Sequence, residues 1–211
     1  MKNLLLYGTT NYGEQLSTSD LNKFKELSQE FNIYIISQNK FKNIENNYVN
    51  IYYIKKSNNR YVNYLKFYFF NFVKFYKIVK SKEIDIVSAK DPISAFIPVI
   101  MRKVTKLHYK LIIEHHGNYL NLLLNQRKFY FTKTITTFSK SIAKFSYKNC
   151  DFIRGVHELE VKKIAKKYNK EFSIFPAWVD YKTFYALEER RSRKDLLFIG
   201  NVIPRKGVLF L

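Results

Sequence analysis

Short apolar runs alternate with stretches of helical period along almost the whole chain, and no other feature limits the fold as much. Residues 4–7, 31–37, 49–54, 84–89, 111–114, 151–153 and 172–175 have the length and side-chain types of buried strands. Between the first two, Leu21, Phe24 and Leu27 recur at helical spacing behind Ser17, Thr18 or Ser19 as the N-cap. Residues 61–82 read as one long helix, with Leu65, Phe69, Phe72, Phe75 or Tyr76, and Val79 on one face. Asp91-Pro92 opens another helix, with proline in the first turn, where its missing N–H costs nothing. Residues 127–148 and 158–167 supply two more, and residues 43–47 read as a loop. This order predicts an α/β fold: a Rossmann-like, doubly wound, mostly parallel sheet with helices on both faces.

The alternation is interrupted by the charged stretch at residues 188–194, Glu-Glu-Arg-Arg-Ser-Arg-Lys, and then resumes with a fresh strand at 196–199. The expected organisation is a first domain over residues 1–187, a linker over 188–194, and the opening strand and turn of a cut-off second domain over 195–211.

Charge narrows the partners without choosing one. The chain has 37 Lys and Arg against 17 Asp and Glu, a formal net charge of +20. Such a field attracts nucleic acid, acidic lipid headgroups or phosphorylated small molecules. At 46% hydrophobic residues the composition is that of a folded domain, not a disordered tail. The single cysteine, Cys150, excludes an internal disulfide and a Cys-rich metal site, and fits a reducing, cytoplasmic compartment. The apolar run near Met1 is too short for a signal peptide. No uncharged apolar run reaches the roughly 18–20 residues that a membrane span needs.

Chemistry gathers at residues 111–117, Leu-Ile-Ile-Glu-His-His-Gly. A buried strand that ends in titratable residues and a glycine carries them to the carboxyl edge of the sheet, where open α/β sheets bind ligands. The strand pleat sends His115 and His116 to opposite sides. His116 is the functional candidate, against the plainer reading of a loop imidazole bonded to backbone, and His115 is structural. Glu114 stays open between the two. His157 and Glu158 follow the sixth predicted strand at the same edge, and Glu158 also reads as a carboxylate favouring a helix start. Gly13 and Glu14 lie in the loop after the first strand. Lys206, beside Gly207, and Arg205 are either anion ligands at a helix start or two more surface charges.

Taken in order, these motifs resemble the family 4 type of retaining glycosyltransferase, which has the two-domain GT-B fold. Tyr12-Gly13-Glu14 stands at the family's glycine-containing loop, and residues 85–92 follow its Asp-Ile-Val-x-Ala-x-Asp-Pro strand. His116-Gly117 closes the apolar strand, and residues 153–158 occupy the Ala-Val-Ser-Glu position, with His157 in place of serine. Pro176-Ala177-Trp178-Val179-Asp180 stands for Pro-Asn-Gly-Val-Asp, with Phe184 at the expected offset. Residues 198–207 stand for Phe-x-Gly-Arg-Leu-x-x-x-Lys-Gly, with Asn201 where the family often has arginine. The family's donor-binding carboxylate motif would lie beyond Leu211.

The resemblance implies retaining transfer of a hexose from a nucleotide-diphosphate sugar to a glycan or lipid-linked acceptor, with no metal and no cofactor besides the sugar nucleotide substrate. It implies a catalytic place for His116, which contacts the transferring sugar or helps orient the reacting groups. Gly13, Lys206 and Arg205 fall on the donor side, with Arg205 substituting for the missing arginine. Glu14, His157 and Glu158 fall on the acceptor side. It also implies that the 211 residues alone have little or no transferase activity. The basic, aromatic-rich helices from residues 61 and 127 suit an anionic membrane surface, and so a peripheral place on its inner face, against the alternative of core helices with a solvated lysine face. Two rival readings are a basic nucleic-acid-binding module and a non-catalytic remnant. Nucleic acid is not the expected partner, because zinc-finger spacing, an RNA-binding aromatic signature and a helix-turn-helix pattern are all missing from the sequence.

Overall fold

A computed structural model describes residues 1–117 and 132–175. The expected linker and second-domain segment, with Lys206 and Arg205, lie outside the described residues, as do residues 127–131 of the helix expected from 127.

The chain forms β1 (Lys2–Tyr7), α1 (Thr18–Leu27), β2 (Phe31–Asn39), β3 (Ile44–Glu45), β4 (Asn50–Lys55), α2 (Arg60–Tyr68), α3 (Phe72–Ser81) and β5 (Ile86–Ala89). It continues with α4 (Phe96–Val104), β6 (Lys110–His115), α5 (Thr132–Asn149), β7 (Phe152–Gly155), α6 (Glu158–Tyr168) and β8 (Glu171–Ile174). One eight-stranded sheet runs β3-β4-β2-β1-β5-β6-β7-β8, and every pairing is parallel except β3 with β4. The fold is therefore α/β and Rossmann-like, as the alternation predicts.

Successive steps run outward from β1 in both directions, and right-handed crossovers then place helices on opposite faces. On one face Phe24 of α1 packs with Ile33, Ile35, Val49 and Ile51. On the other, Leu5, Val87, Leu111, Ile113 and Ile153 meet Phe75, Ile97, Ile142 and Val161 of α3 to α6. Each fully buried side chain of this size contributes about 1.5–3 kcal/mol.

The amino edge is closed by structural carboxylates. Asp85 accepts the Asn3 backbone N–H at 2.7 Å, and Asp151 accepts that of Leu111 at 2.7 Å while pairing with Arg102. These acids are occupied in fixing strand register.

Three local expectations change. The helix expected over 61–82 is two helices, α2 and α3. The phenol of buried Tyr7 donates to the Phe67 carbonyl at 3.0 Å, taking the acceptor that a continuous helix would offer to residue 71. The Phe70 N–H reaches back five residues to the Leu65 carbonyl, which closes α2, and Asn71 occupies the N-cap position of α3. Residues 43–47 contain the two-residue strand β3, held by the Asn46 side chain accepting the N–H groups of Tyr48 and Val49. Finally, Asp91-Pro92 begins a turn one step before α4: the Asp91 carboxylate accepts from the N–H of Ile93 and of Ser94 and from the Ser94 hydroxyl. Among the described residues, no helix is long and apolar enough to cross a membrane.

Candidate active site at the carboxyl edge

The sheet order reverses at β1, so the loops after β1 and β5 part there and leave a crevice at the carboxyl edge. A cleft of about 80 Å³ opens beside it, lined by Lys90, Asp91, Pro92, Glu114, His115, His116 and Gly117. The end of β6 thus brings the residues of the 111–117 stretch to a concave surface.

The pleat separates the two histidines. His115 turns into the helix-covered face and is 4% exposed. Its Nδ1 lies 2.9 Å from the Tyr147 hydroxyl and its Nε2 3.2 Å from the Glu160 carboxylate. Burial pushes its pKa down, and Glu160 only partly restores it, so the ring is held towards its neutral form. Gly155 makes this packing feasible. A Cβ there would lie 2.7 Å from the His115 carbonyl oxygen and would collide with Val161.

Glu114 and His116 share the opposite face. His116 Nε2 lies 2.8 Å from Glu114 Oε2, and the ring meets Phe175 edge-on at 5.7 Å. Ser88 donates to Glu114 Oε1 at 3.1 Å, and the Arg154 guanidinium stands 3.8 Å from the same oxygen while resting on the Phe175 ring. Burial pushes the Glu114 carboxyl up, but His116, Arg154 and Ser88 together hold it below the ordinary carboxylate range. An ionised Glu114 accepts from Nε2–H and fixes the His116 tautomer, leaving Nδ1 as the other hydrogen-bonding atom of the ring. Gly117 follows at φ +101, a conformation that favours glycine.

The remaining sequence candidates among the described residues are spread along the same edge. His157 sits at the N-cap position of α6 without a capping bond from its side chain, and Glu158 lies in that helix's first turn, both exposed. Gly13 and Glu14 are exposed in the loop after β1, and a Cβ at Gly13 would stand 3.0 Å from the Gln15 carbonyl oxygen. Neither pair lines the cleft with His116. Cys150 is buried, donates to the Tyr147 carbonyl, and has its thiol pushed up to about 11 by burial, which removes it from thiolate chemistry. Among the described residues, no cluster of His, Cys, Asp and Glu has the arrangement to hold a metal ion.

The reading of residues missed Lys90 and Arg154. Both lie at the carboxyl end of a strand, Lys90 directly after β5 and Arg154 within β7. The edge rule that singled out His116 applies to them equally, and a basic residue after an apolar run was the available signal.

Strand order and edge define a class: a Rossmann-like α/β domain, mostly parallel, with its crevice at the carboxyl edge of the sheet. No protein-family model and no curated protein matches the sequence. Among solved structures, the chain is similar to the sucrose-phosphate synthase of Thermosynechococcus elongatus, with a TM-score of 0.61 at 10% identity over 89% of this chain and 51% of that one. A second structure of the same synthase gives 0.53 at 8% identity, covering 87% of this chain and 92% of that one. The likeness is one of fold, and the chain spans about half the length of the first of these structures.

Proposed function

We propose that this chain is the acceptor-side half of a GT-B glycosyltransferase that moves a hexose, with retention, from a nucleotide-diphosphate sugar to a hydroxyl of a glycan or lipid-linked acceptor. The observation that carries the reading is the Glu114–His116 pair, 2.8 Å apart, at the edge of a cleft in a GT-B-like sheet. His116, oriented by Glu114, hydrogen-bonds the sugar being transferred. Glu14, His157 and Glu158 lie along the edge where an acceptor approaches. Gly13, Lys206 and Arg205 serve the donor, the last two by offsetting charge on the departing diphosphate. The proposed reaction uses no metal and no cofactor other than its sugar nucleotide. The proposal includes a peripheral place at an anionic membrane surface.

Sugar transfer by the full-length polypeptide, from a panel of nucleotide hexoses to sugar and lipid-linked acceptors, tests this reading. His116→Ala is expected to lower kcat/KM by about 10²–10³, the scale of losing one positioned hydrogen-bonding group, with unchanged circular dichroism. Failure of every donor to transfer or to bind saturably overturns the reading.

A further inference from the structure

The cleft holds one cation that the transfer proposal leaves without a task. Lys90 leaves the end of β5 alongside the first residue after β1. The Lys90 N–H donates to the Tyr7 carbonyl at 3.0 Å, and a Cβ on Gly8 would lie 2.6 Å from that of Lys90. Only glycine at position 8 lets the lysine stem lie so close over the end of β1. The ammonium is steered back across the crevice, where Nζ donates to the Thr10 hydroxyl at 2.8 Å. Thr10 is itself fixed, because its carbonyl accepts the Ser37 hydroxyl at the end of β2.

The ammonium therefore has a set position and a single neutral partner in the hydrogen bonds described, with two donor hydrogens left. No carboxylate among the described residues lies within 4 Å of it. The two acids that attract it, Asp91 and Glu114, are committed elsewhere. Asp91 folds both oxygens into its own turn, and Glu114 is shared by Ser88, His116 and Arg154. Burial pulls the Lys90 pKa down, against the attraction of Asp91 and Glu114 and together with repulsion from Lys23. A partly desolvated cation without a direct counter-ion is unfavourable unless something supplies one. His116 adds a second hydrogen-bonding group to the same cleft.

We propose that Lys90, held by Thr10 over Gly8, anchors an oxyanion-binding site, and that the small molecule seated in this cleft carries a phosphoryl or carboxylate group. The site stands on its own geometry. Where it deepens the transfer proposal, it rests on that reading and makes the substrate bound by this half an anionic one.

The test is equilibrium binding to this chain by calorimetry, with inorganic phosphate, acetate and neutral methyl glucoside as probes. Phosphate or acetate is expected to saturate, and methyl glucoside to be indifferent to position 90. Lys90→Met should weaken anion binding by about tenfold or more, the scale of one charge-assisted hydrogen bond. Lys90→Arg should retain most of it, and Lys25→Met, on the exposed face of α1, all of it. Further arms with a sugar phosphate, a uronic acid and a nucleoside diphosphate distinguish a phosphorylated sugar, an acidic sugar and a donor diphosphate as the source. Equal anion affinity in the parent and a folded Lys90→Met variant overturns the proposal, as does non-saturable binding by the parent. Because the readout needs no sugar transfer, failure of the glycosyltransferase reading leaves this result standing, and the reverse also holds.

Discussion

Two groups of His115, its carbonyl and its ring, decide how the site is backed. Its carbonyl oxygen would lie 2.7 Å from a Cβ at position 155, so even the smallest side chain there has to move backbone. Gly155→Ala is therefore expected to lower stability by about 1–3 kcal/mol, the usual penalty of overpacking, with an unchanged denaturant m-value. Urea unfolding reads both quantities. The ring of His115 sets a pH dependence. Burial lowers its folded pKa below the unfolded value of about 6.5, with Glu160 opposing and the neighbouring His116 and His157 adding to the drop. Between the two values the unfolded chain binds the proton and the folded chain does not, so stability rises with pH in that window. Stability should accordingly fall as pH drops through about 6.5 and level off once folded His115 itself protonates. His115→Gln should flatten this segment of a urea-midpoint profile. Glu114, whose folded pKa is also lowered, acts in the same direction but only below the ordinary carboxylate range.

At the scale of elements, the break between α2 and α3 is set from outside the helices. Tyr7, at the end of β1, donates its buried hydroxyl to the Phe67 carbonyl and stacks on the Phe67 ring at 4.9 Å. Tyr7→Phe keeps the ring and removes the donor, so it should destabilise the chain by about 1–3 kcal/mol, as for a buried carbonyl left unpaired. Thermal melts and amide exchange at residues 67–72 check it. This contact also explains what the sequence withheld. The apolar runs of β1, β2, β5, β6 and β7 are legible because each is nearly continuous and both sheet faces are buried, and the polar turn at Glu114 marks the carboxyl edge. Residues 61–82 keep a helical period throughout, and nothing local reveals that a tyrosine some sixty positions away ends the first helix. The two residues of β3 carry too short a pattern to read. Lys90 is one lysine among many in the sequence, and only the approach of Gly8 and Thr10 distinguishes it. His116 is legible because histidines are rare in this chain and this one directly follows a buried strand, beside Gly117.

For the whole molecule, the net charge of +20 alone draws the chain to any polyanion, whether lipid or nucleic acid. What separates the two is apolar surface. The turn between α2 and α3 exposes Phe70 at 72% and, just beyond it, Val73 at 67%, while Phe138 on α5 is 56% exposed and meets Phe69 at 5.9 Å. Lys66, Lys77 and Lys140 are exposed on the same helices. Raising ionic strength from about 0.1 to 1 M shortens the Debye length from about 10 to 3 Å and releases a chain held by charge alone. Burying a phenylalanine or valine in the lipid interface contributes up to about 1.5–3 kcal/mol each and is not screened. Sedimentation with vesicles containing phosphatidylserine should therefore retain a fraction at high salt, neutral vesicles should retain less at low salt, and DNA should be released completely. The double variant Phe70→Ser with Val73→Ser should lose the salt-resistant fraction while keeping the low-salt one. Equal retention on neutral and anionic vesicles, or a double variant indistinguishable from the parent at high salt, would remove the membrane from the proposal and leave the charge as a general attraction for anions.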